Sequence, residues 1–379
     1  MIYLDTAATA IPEEEAIADI EYAMRNLWYN PSNSYKESVQ VKDELIKTKE
    51  IIKDFLNLPG DHEANECIYF LSSGSQVNNW ILSMAKKESM RIISSKTEHP
   101  SIVKMKPDIF LKHLSTGEIN IYHLEEQLEY INKFREIPFV SVSLVNNETG
   151  VINDIRKIAS LVHEYGGWIH TDLSQAIGHA IVDLSYYSVD LATFTSEKIG
   201  LPRGLGVAYI SPNFPKSSWV VGGNQENGLV AGTENQYLPY ALQGVLQRIK
   251  KDYFWRIRKE IKLYRQIVYG IIEIANKYNI YTEINLKYLL RVKNIISIWF
   301  QGISGMQLVS LLNEKNILLS TGSACHSGDN NPSEQLLAFG ISPEKAEETI
   351  RISFDWRLTF DDVKQFLFML DILFQLLKE

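Results

Sequence analysis

Short apolar runs of strand length alternate with segments of helical periodicity from about residue 65 to about residue 240. The runs that we predict to be strands are Cys67–Ser72, Arg91–Ser94, Phe139–Val145, Trp168–Thr171, Leu191–Thr195 and Gly206–Ile210. Between two of them, Ile155–Tyr165 has the spacing of a helix that Asp154 can cap at its start and Gly166 can end. Because strands that take turns with helices form βαβ units, the pattern predicts an α/β fold with a mostly parallel central sheet.

The last third of the chain has a different pattern. One long helical segment runs from about residue 241 to about residue 275, and strands are predicted near Val292–Phe300 and Ile350–Phe354. We therefore expect a smaller α+β unit and a boundary near residues 250–260. The apolar segment Val363–Leu377 is shorter than the roughly 20 residues that a membrane span needs, so we predict a buried helix there, capped by Asp361 or Asp362.

Charge and cysteine content exclude several classes of protein. The chain has 38 basic and 46 acidic residues, which argues against a strongly basic nucleic-acid-binding protein. Its two cysteines, Cys67 and Cys325, form no metal-binding pair and no disulfide framework, and the absence of a secretory signal fits a cytoplasmic protein. Cys67 lies in an apolar run and is predicted to be buried, whereas Cys325 lies among small residues in a loop next to His326.

Several polar residues follow predicted strands, which is where ligands bind in α/β sheets. Lys198 follows one strand, and lysines in such places form Schiff bases with carbonyl compounds. Asp172 ends another strand, and a carboxylate with a Schiff-base lysine suits pyridoxal phosphate (PLP), whose ring nitrogen it keeps protonated. Gln175 and His99 are placed to contact the ring. The alternatives are a surface lysine, a structural histidine, and a helix cap formed by Asp172 with Gln175 at its third position.

A phosphate site and a carboxylate site are also indicated. The loop from Leu71 to Asn79 leads into a helix, and the amides after Gly74 are placed to bind an anion, although an ordinary turn would look the same. Thr195 and Thr233 can add hydroxyl groups. Arg351, in a predicted strand, can bind a carboxylate in bidentate fashion or form a surface ion pair.

Taken together, these segments resemble the cysteine desulfurases of the class V aminotransferase group, in the branch with a long cysteine-bearing loop. The motifs that carry the resemblance, in chain order, are YLDTAATAIP, NPSNSY, YFLSSGS, TEHPSIV, VNNETGVIND, HTDLSQAIGH, SEKIGLPRGLG, GGNQENGLVAGTEN, STGSACHSG and IRISF. The resemblance implies the aspartate-aminotransferase-like fold (fold type I), with a large PLP-binding domain at residues 12–255 and a small domain formed by residues 1–11 and 256–379.

The resemblance also assigns roles around the cofactor ring. Lys198 would hold PLP and later move the proton of the substrate's α-carbon. Asp172 would pair with the ring nitrogen, His99 would stack on the ring and handle protons, and Gln175 would bond the phenolic oxygen. Asn147 would help to position both cofactor and substrate.

Further roles concern the phosphate, the substrate and the sulfur. Gly74, Ser75, Gln76 and Thr195 would hold the phosphate, and Thr233 would reach the phosphate of the neighbouring subunit, which implies a homodimer. Arg351 would bind the carboxylate of L-cysteine. Cys325 would then attack the sulfur, which yields L-alanine and a persulfide on Cys325 for transfer to an acceptor protein.

The sequence departs from the family pattern at several positions. Glu197 replaces the usual histidine before the lysine, and Gln76 replaces the usual threonine of the phosphate loop. Tyr35 and Val230 replace a histidine and an arginine, and Asp355 with Trp356 replaces a glycine–arginine pair. These positions bear on phosphate affinity, substrate preference and partner docking.

Two other functions remain open at this stage. One is a different PLP lyase on the same scaffold, such as a selenocysteine lyase, which needs no cysteine nucleophile. The other is a non-catalytic sulfur-relay scaffold, which Glu197 favours. The sulfur acceptor also stays open, among iron–sulfur assembly, tRNA thiolation and DNA phosphorothioation, with no direct contact to nucleic acid or membrane expected and no metal site.

Overall fold

A computed structural model describes residues 1–58, 60, 62–321 and 332–378. The helices are α1 (Glu14–Asn26), α2 (Lys36–Leu56), α3 (Ala64–Cys67), α4 (Gly74–Lys87), α5 (Pro100–Val103), α6 (Ile121–Lys133), α7 (Ile155–Glu164), α8 (Leu184–Tyr187), α9 (Tyr237–Lys277), α10 (Gly305–Glu314), α11 (Glu334–Ala338), α12 (Pro343–Glu347) and α13 (Phe360–Lys378). The strands are β1 (Ile2–Tyr3), β2 (Ile68–Leu71), β3 (Arg91–Ser95), β4 (Ile109–Leu111), β5 (Pro138–Ser141), β6 (Trp168–Asp172), β7 (Leu191–Thr195), β8 (Gly206–Ile210), β9 (Thr282–Ile284), β10 (Ile295–Phe300), β11 (Ile317–Leu318) and β12 (Thr349–Ser353).

A seven-stranded sheet forms the centre of the larger part, in the order β2-β8-β7-β6-β5-β3-β4. The pairs from β7 through β6, β5 and β3 to β4 are parallel, and β8 runs antiparallel to both of its neighbours. The strands β5, β7 and β8 are buried along their whole length, as expected of a sheet that helices cover on both faces. The predicted α/β class with a mostly parallel sheet is confirmed.

Local sequence signals account for most element ends. The helix α7 begins after Asp154, whose Oδ1 accepts a hydrogen bond of 3.1 Å from the amide of Lys157, so the predicted cap is confirmed. The strand β5 ends at Ser141, earlier than predicted, although the amides of Val142 and Leu144 still donate to β6. Beyond that point the chain turns back on itself, because the side chain of Asn146 bonds to the residues that follow it.

The C-terminal helix begins at a different cap from the one predicted. The helix α13 starts at Phe360, so its capping residue is Thr359, and the amide of Asp362 donates to Thr359 Oγ1 at 3.0 Å. Asp362 Oδ2 accepts in return from the amide of Thr359 at 3.0 Å. The prediction of Asp361 or Asp362 as the cap was wrong, because a reciprocal capping box places the carboxylate in the first turn and the hydroxyl at the end.

The expected boundary near residues 250–260 falls inside one continuous helix. The helix α9 has 41 residues and connects the seven-stranded sheet to the C-terminal segment that contains the strands β9, β10 and β12. It lies directly against α13, since a Cβ added at Gly270 would come within 2.3 Å of a methyl group of Leu367. Lys277 and Asp371 connect the same two helices by an ion pair of 2.8 Å.

A separate hydrophobic cluster surrounds the three-stranded sheet β12-β10-β9. It includes Ile2 and Leu4 from the start of the chain, together with residues from Leu263 to Phe374. The strand β1 pairs with β11 in the same part of the protein. This packing supports our proposal of a small domain made of residues 1–11 and 256–379, beside a large domain at 12–255.

The helices in the described ranges also bear on the membrane question. None of them combines the length and the apolarity that crossing a bilayer would require.

Candidate active site

A cavity of about 300 Å³ opens where β2, β3, β5, β6 and β7 end. Parallel strands that end at one edge of a sheet bring the residues after them together, which explains why distant segments meet here. The predicted site residues on its wall are Gly74, Ser75, His99, Asn147, Asp172, Gln175, Thr195, Lys198 and Arg351.

A chain of hydrogen bonds connects Asp172 to His99. Asn78 Nδ2 donates to Asp172 Oδ2 and to Ser101 Oγ, both at 2.9 Å. The Ser101 hydroxyl lies 2.7 Å from Nδ1 of His99, which also accepts from the amide of Ser101 at 3.1 Å. Since a backbone amide can only donate, Nδ1 is an acceptor, and the ring proton of neutral His99 is on Nε2. Burial lowers the pKa of His99, which favours this neutral form.

The carboxylate of Asp172 is held on both oxygens. Its second oxygen, Oδ1, accepts from the amide of Ser174 at 2.9 Å, and its side chain is largely buried. A turn follows β6 here and not a helix, so Asp172 is not the helix cap that the alternative interpretation considered. These two bonds fix the orientation of the carboxyl group in the cavity wall.

A second acidic group, Glu98, lies in the cavity wall next to His99. Burial raises the pKa of Glu98 to about 8, and the charge of Asp172 acts in the same direction. The amide of Ser143 donates to one oxygen of Glu98 at 2.9 Å, and the Ser143 hydroxyl lies 3.1 Å from the other. The burial of Glu98 therefore favours its protonated form.

Lys198 reaches the cavity from a short 3-10 turn that follows β7. Its Nζ donates to the carbonyl oxygen of Ala8 and lies 3.9 Å from a carboxylate oxygen of Glu197. The other oxygen of Glu197 accepts a hydrogen bond from Thr195 Oγ1. The unusual glutamate thus occupies the edge of the cavity between the lysine and the threonine.

The N-terminus of α4 forms one side of the cavity. Ser73 caps the helix by accepting from the amide of Gln76 at 3.3 Å, and the first amides of a helix have no partners within it, so they favour an anion. A Cβ at Gly206 would lie 2.3 Å from the carbonyl carbon of Ser73, so only glycine lets β8 approach this loop. A Cβ at Gly74 would lie 3.2 Å from that of Thr195, so the start of α4 and the end of β7 lie close together here.

Arg351 projects from β12 and is almost fully buried. Its Nη2 pairs with Asp5 at 2.8 Å, and its Nη1 donates to the carbonyl oxygen of Asn147 at 3.1 Å. Its Nε is buried and donates to no residue that the structure describes. On the neighbouring wall, Gln175 Nε2 donates to the carbonyl oxygen of Ala7 at 2.9 Å.

Three predicted site residues are not part of this wall. The side chain of Gln76 is exposed and accepts from the Ser72 hydroxyl at 2.8 Å, and Thr233 is exposed on a different loop. Cys325 lies outside the described residues. The other cysteine, Cys67, is buried as predicted, and burial raises the pKa of its thiol to about 11. In the described ranges, no cluster of three His, Cys, Asp or Glu side chains is arranged for a metal ion.

Several residues of the site escaped sequence reasoning. Asn78 and Ser101 join Asp172 to His99, and Ser143 contacts both carboxyl oxygens of Glu98. The sequence did contain a signal for Asn78, which lies one turn into α4 on the apolar face of that helix. A polar side chain buried there needs a hydrogen-bond partner. For Gln335, which bonds to Asn147, the sequence offers no such signal.

Comparison with known proteins gives a consistent result. The chain matches the family described as Aminotransferase class-V over residues 2–366. It is 29% identical to a cysteine desulfurase IscS of Clostridium botulinum, covering 100% of this chain and 94% of that protein. It is 28% identical to a cysteine desulfurase IscS of Methanosarcina thermophila, covering 97% of this chain and 90% of that protein.

Solved structures show the same likeness. A NifS-like protein from Rickettsia africae is 25% identical and superposes with a TM-score of 0.86, covering 99% of both chains. A structure named SspA in complex with cysteine is 23% identical, covers 93% of this chain and 99% of that one, and superposes with a TM-score of 0.78, which supports the fold. The chain therefore belongs to the class-V aminotransferase family, and the relatives that it matches over nearly its full length are cysteine desulfurases.

Proposed function

We propose that the protein is a PLP-dependent cysteine desulfurase, which converts L-cysteine to L-alanine and leaves the sulfur as a persulfide on Cys325. The observation that carries the proposal is the meeting of the Lys198 amine and the Asp172 carboxylate in one cavity of about 300 Å³. A lysine amine, a buried carboxylate and a helix N-terminus are the groups that PLP requires for its aldehyde, its ring nitrogen and its phosphate. The relatives named cysteine desulfurase IscS agree with this activity.

The residues of this chain have distinct tasks in the reaction. PLP, when bound, supplies an electron-accepting ring that weakens the bonds at the substrate's α-carbon. Asp172 holds a negative charge where a protonated ring nitrogen would need one. His99 is neutral, with Nδ1 held as an acceptor by the Ser101 amide and the ring proton on Nε2, so Nε2–H is the group that it can offer as a hydrogen-bond donor in the cavity. Lys198 would hold the cofactor and move the proton of the α-carbon.

Binding the substrate and taking its sulfur involve other groups. Arg351 lines the cavity and has a buried Nε–H with no partner among the described residues, and this group would bind the substrate carboxylate. The thiolate of Cys325 would form a bond to the sulfur of cysteine as the bond between that sulfur and Cβ breaks. The electron pair stays with the carbon product, which takes up a proton to become alanine, so cysteine and a thiol become alanine and a persulfide.

The oligomeric state, the sulfur acceptor and the cellular location are also proposals. We propose a homodimer, in which the exposed Thr233 reaches the phosphate site of the partner subunit, and an acceptor protein that receives the sulfur from Cys325, with iron–sulfur assembly among the possible destinations. A cytoplasmic location is supported by the scarcity of cysteines in the chain.

The decisive experiment combines cofactor binding and turnover. Purified protein reconstituted with PLP should show the visible absorption of a lysine-bound cofactor, and Lys198→Ala should lose it. Cysteine should yield alanine and a labelled persulfide in equal amounts, and Cys325→Ala should abolish both, whereas the control Cys67→Ala should retain them. Full turnover in Cys325→Ala would indicate the lyase alternative instead. A protein that stays colourless with PLP would indicate the scaffold that Glu197 favours.

A further inference from the structure

Gln335 bridges two consecutive asparagines at the edge of the cavity. Gln335 Oε1 accepts from Asn146 Nδ2 at 2.8 Å, and Gln335 Nε2 donates to Asn147 Oδ1 at 3.2 Å. Gln335 is 7% exposed and Asn146 is 2% exposed, so water does not compete strongly for these bonds. Only Asn147 of the three lines the cavity.

The backbone determines which way all three amide groups point. Asn146 Oδ1 accepts from the amides of Glu148 at 3.0 Å and Thr149 at 2.9 Å, and backbone amides can only donate. Asn146 must therefore present its nitrogen to Gln335, which then presents oxygen to Asn146 and nitrogen to Asn147. Asn147 uses its oxygen in this bond, so its amide nitrogen is the end that remains for the cavity.

Gln335 is held in place independently of these contacts. It lies in α11, where the capping residue Ser333 accepts from the amide of Leu336 at 3.2 Å. The Ser333 hydroxyl donates to Glu148 Oε2, in the same turn that orients Asn146. The bond between Ser333 and Glu148 thus joins the helix to the turn separately from the contacts of Gln335, which limits the freedom of its side chain to reverse.

The corner of the cavity near Asn147 consequently offers hydrogen-bond donors. Arg351 Nη1 donates to the carbonyl oxygen of Asn147, so the guanidinium lies beside the asparagine. A reversed Asn147 would place a carbonyl oxygen there instead, which repels anions. We propose that Gln335 is a positioning residue that fixes the amide of Asn147 with its N–H groups toward the cavity and so makes this corner a site for an anionic oxygen. The oxygen would belong to PLP or to the substrate carboxylate, and this part of the inference rests on the proposed function.

The first test needs no cofactor. Asparagine side chains are labelled with ¹⁵N, the signals of Asn147 are identified by their loss in Asn147→Asp, and side-chain order parameters are measured by relaxation. In Gln335→Met, which keeps the length but has no amide, the order parameter of Asn147 should fall below about 0.6. Asn285 is the internal control, because its buried amide bonds to Ser297 and Thr349 away from this site. An Asn147 amide that stays equally ordered in Gln335→Met would overturn the proposal.

The second test measures whether Gln335 acts through Asn147. Gln335→Met should raise the half-saturating concentration of PLP, or the KM for cysteine, by about two- to tenfold, as expected for one hydrogen bond. In an Asn147→Ala background the same change should have no further effect. A change in the half-saturating PLP concentration would identify the bound oxygen as one of the cofactor, and a change in the KM alone would identify it as one of the substrate. An undiminished effect of Gln335→Met in the Asn147→Ala background would refute the proposal that Gln335 acts through Asn147. A wild-type protein that binds no PLP would refute the proposed function, and the relaxation measurement would then test the positioning role of Gln335 by itself.

Discussion

Glu98 is a carboxyl group whose burial should make the stability of the whole protein depend on pH. Its pKa is about 8 in the folded protein, against an ordinary value of 4.5. Between these two values the unfolded chain releases the proton while the folded protein keeps it, so the free energy of unfolding falls by about 1.4 kcal/mol for each pH unit. In Glu98→Gln the amide can accept from the Ser143 amide and donate to the Ser143 hydroxyl, as a protonated acid would, without this dependence.

We therefore expect Glu98→Gln to be more stable than the natural protein by about 3 kcal/mol at pH 7, with the difference shrinking toward zero near pH 4.5. Urea unfolding of the cofactor-free protein, followed by circular dichroism from about pH 5 to about pH 8, measures this difference. Glu129→Gln, an exposed carboxylate on α6, is the matched control and should show little change. A constant difference between Glu98→Gln and the natural protein across this range would refute the reasoning.

Three further predictions concern particular contacts. Gly206→Ala should weaken PLP binding and lower the free energy of unfolding by about 1–3 kcal/mol, because the added methyl group overlaps the Ser73 backbone; unchanged PLP titrations would contradict this. Thr359→Ala should cost about 1 kcal/mol through loss of the α13 cap, and an unchanged urea midpoint would count against the capping box. Lys49→Met should lower the free energy of unfolding by about 3–5 kcal/mol, because it leaves Glu226 buried without its partner at 2.7 Å. The double variant Lys49→Met with Glu226→Gln should recover part of this loss, and a double variant no more stable than Lys49→Met would argue against the buried pair.

The class of fold was predictable because it depends on periodicity. Apolar runs of strand length that alternate with amphipathic helices leave few arrangements other than a sheet with helices on both faces. The cap of α7 was predictable for a similar reason, since Asp154 bonds to a residue three positions later. The cap of α13 has an equally local signal that the sequence analysis missed, because Thr359 and Asp362 have the three-residue spacing of a capping box and bond to each other.

The residues of the cavity also include features that the sequence predicted and features that it did not. Lys198, Asp172 and His99 were candidates because each follows a strand, and parallel strands bring such residues to one edge. The acceptor role of His99 Nδ1 depends on a local contact with the amide of Ser101, but its connection to Asp172 through Asn78 requires the fold. The raised pKa of Glu98 was not predictable, since it depends on burial.

The sequence by itself determined which elements form and which chemical groups lie at the ends of the strands, because periodicity and local hydrogen bonding act over a few residues. Only the tertiary structure decided that the Glu98 carboxyl group is desolvated and that Gln335 contacts the amide of Asn147. The contact between Gln335 and Asn147 joins residues 188 positions apart. Desolvation and the direction of such hydrogen bonds are set by neighbours that the fold supplies, and no local pattern in the chain records them.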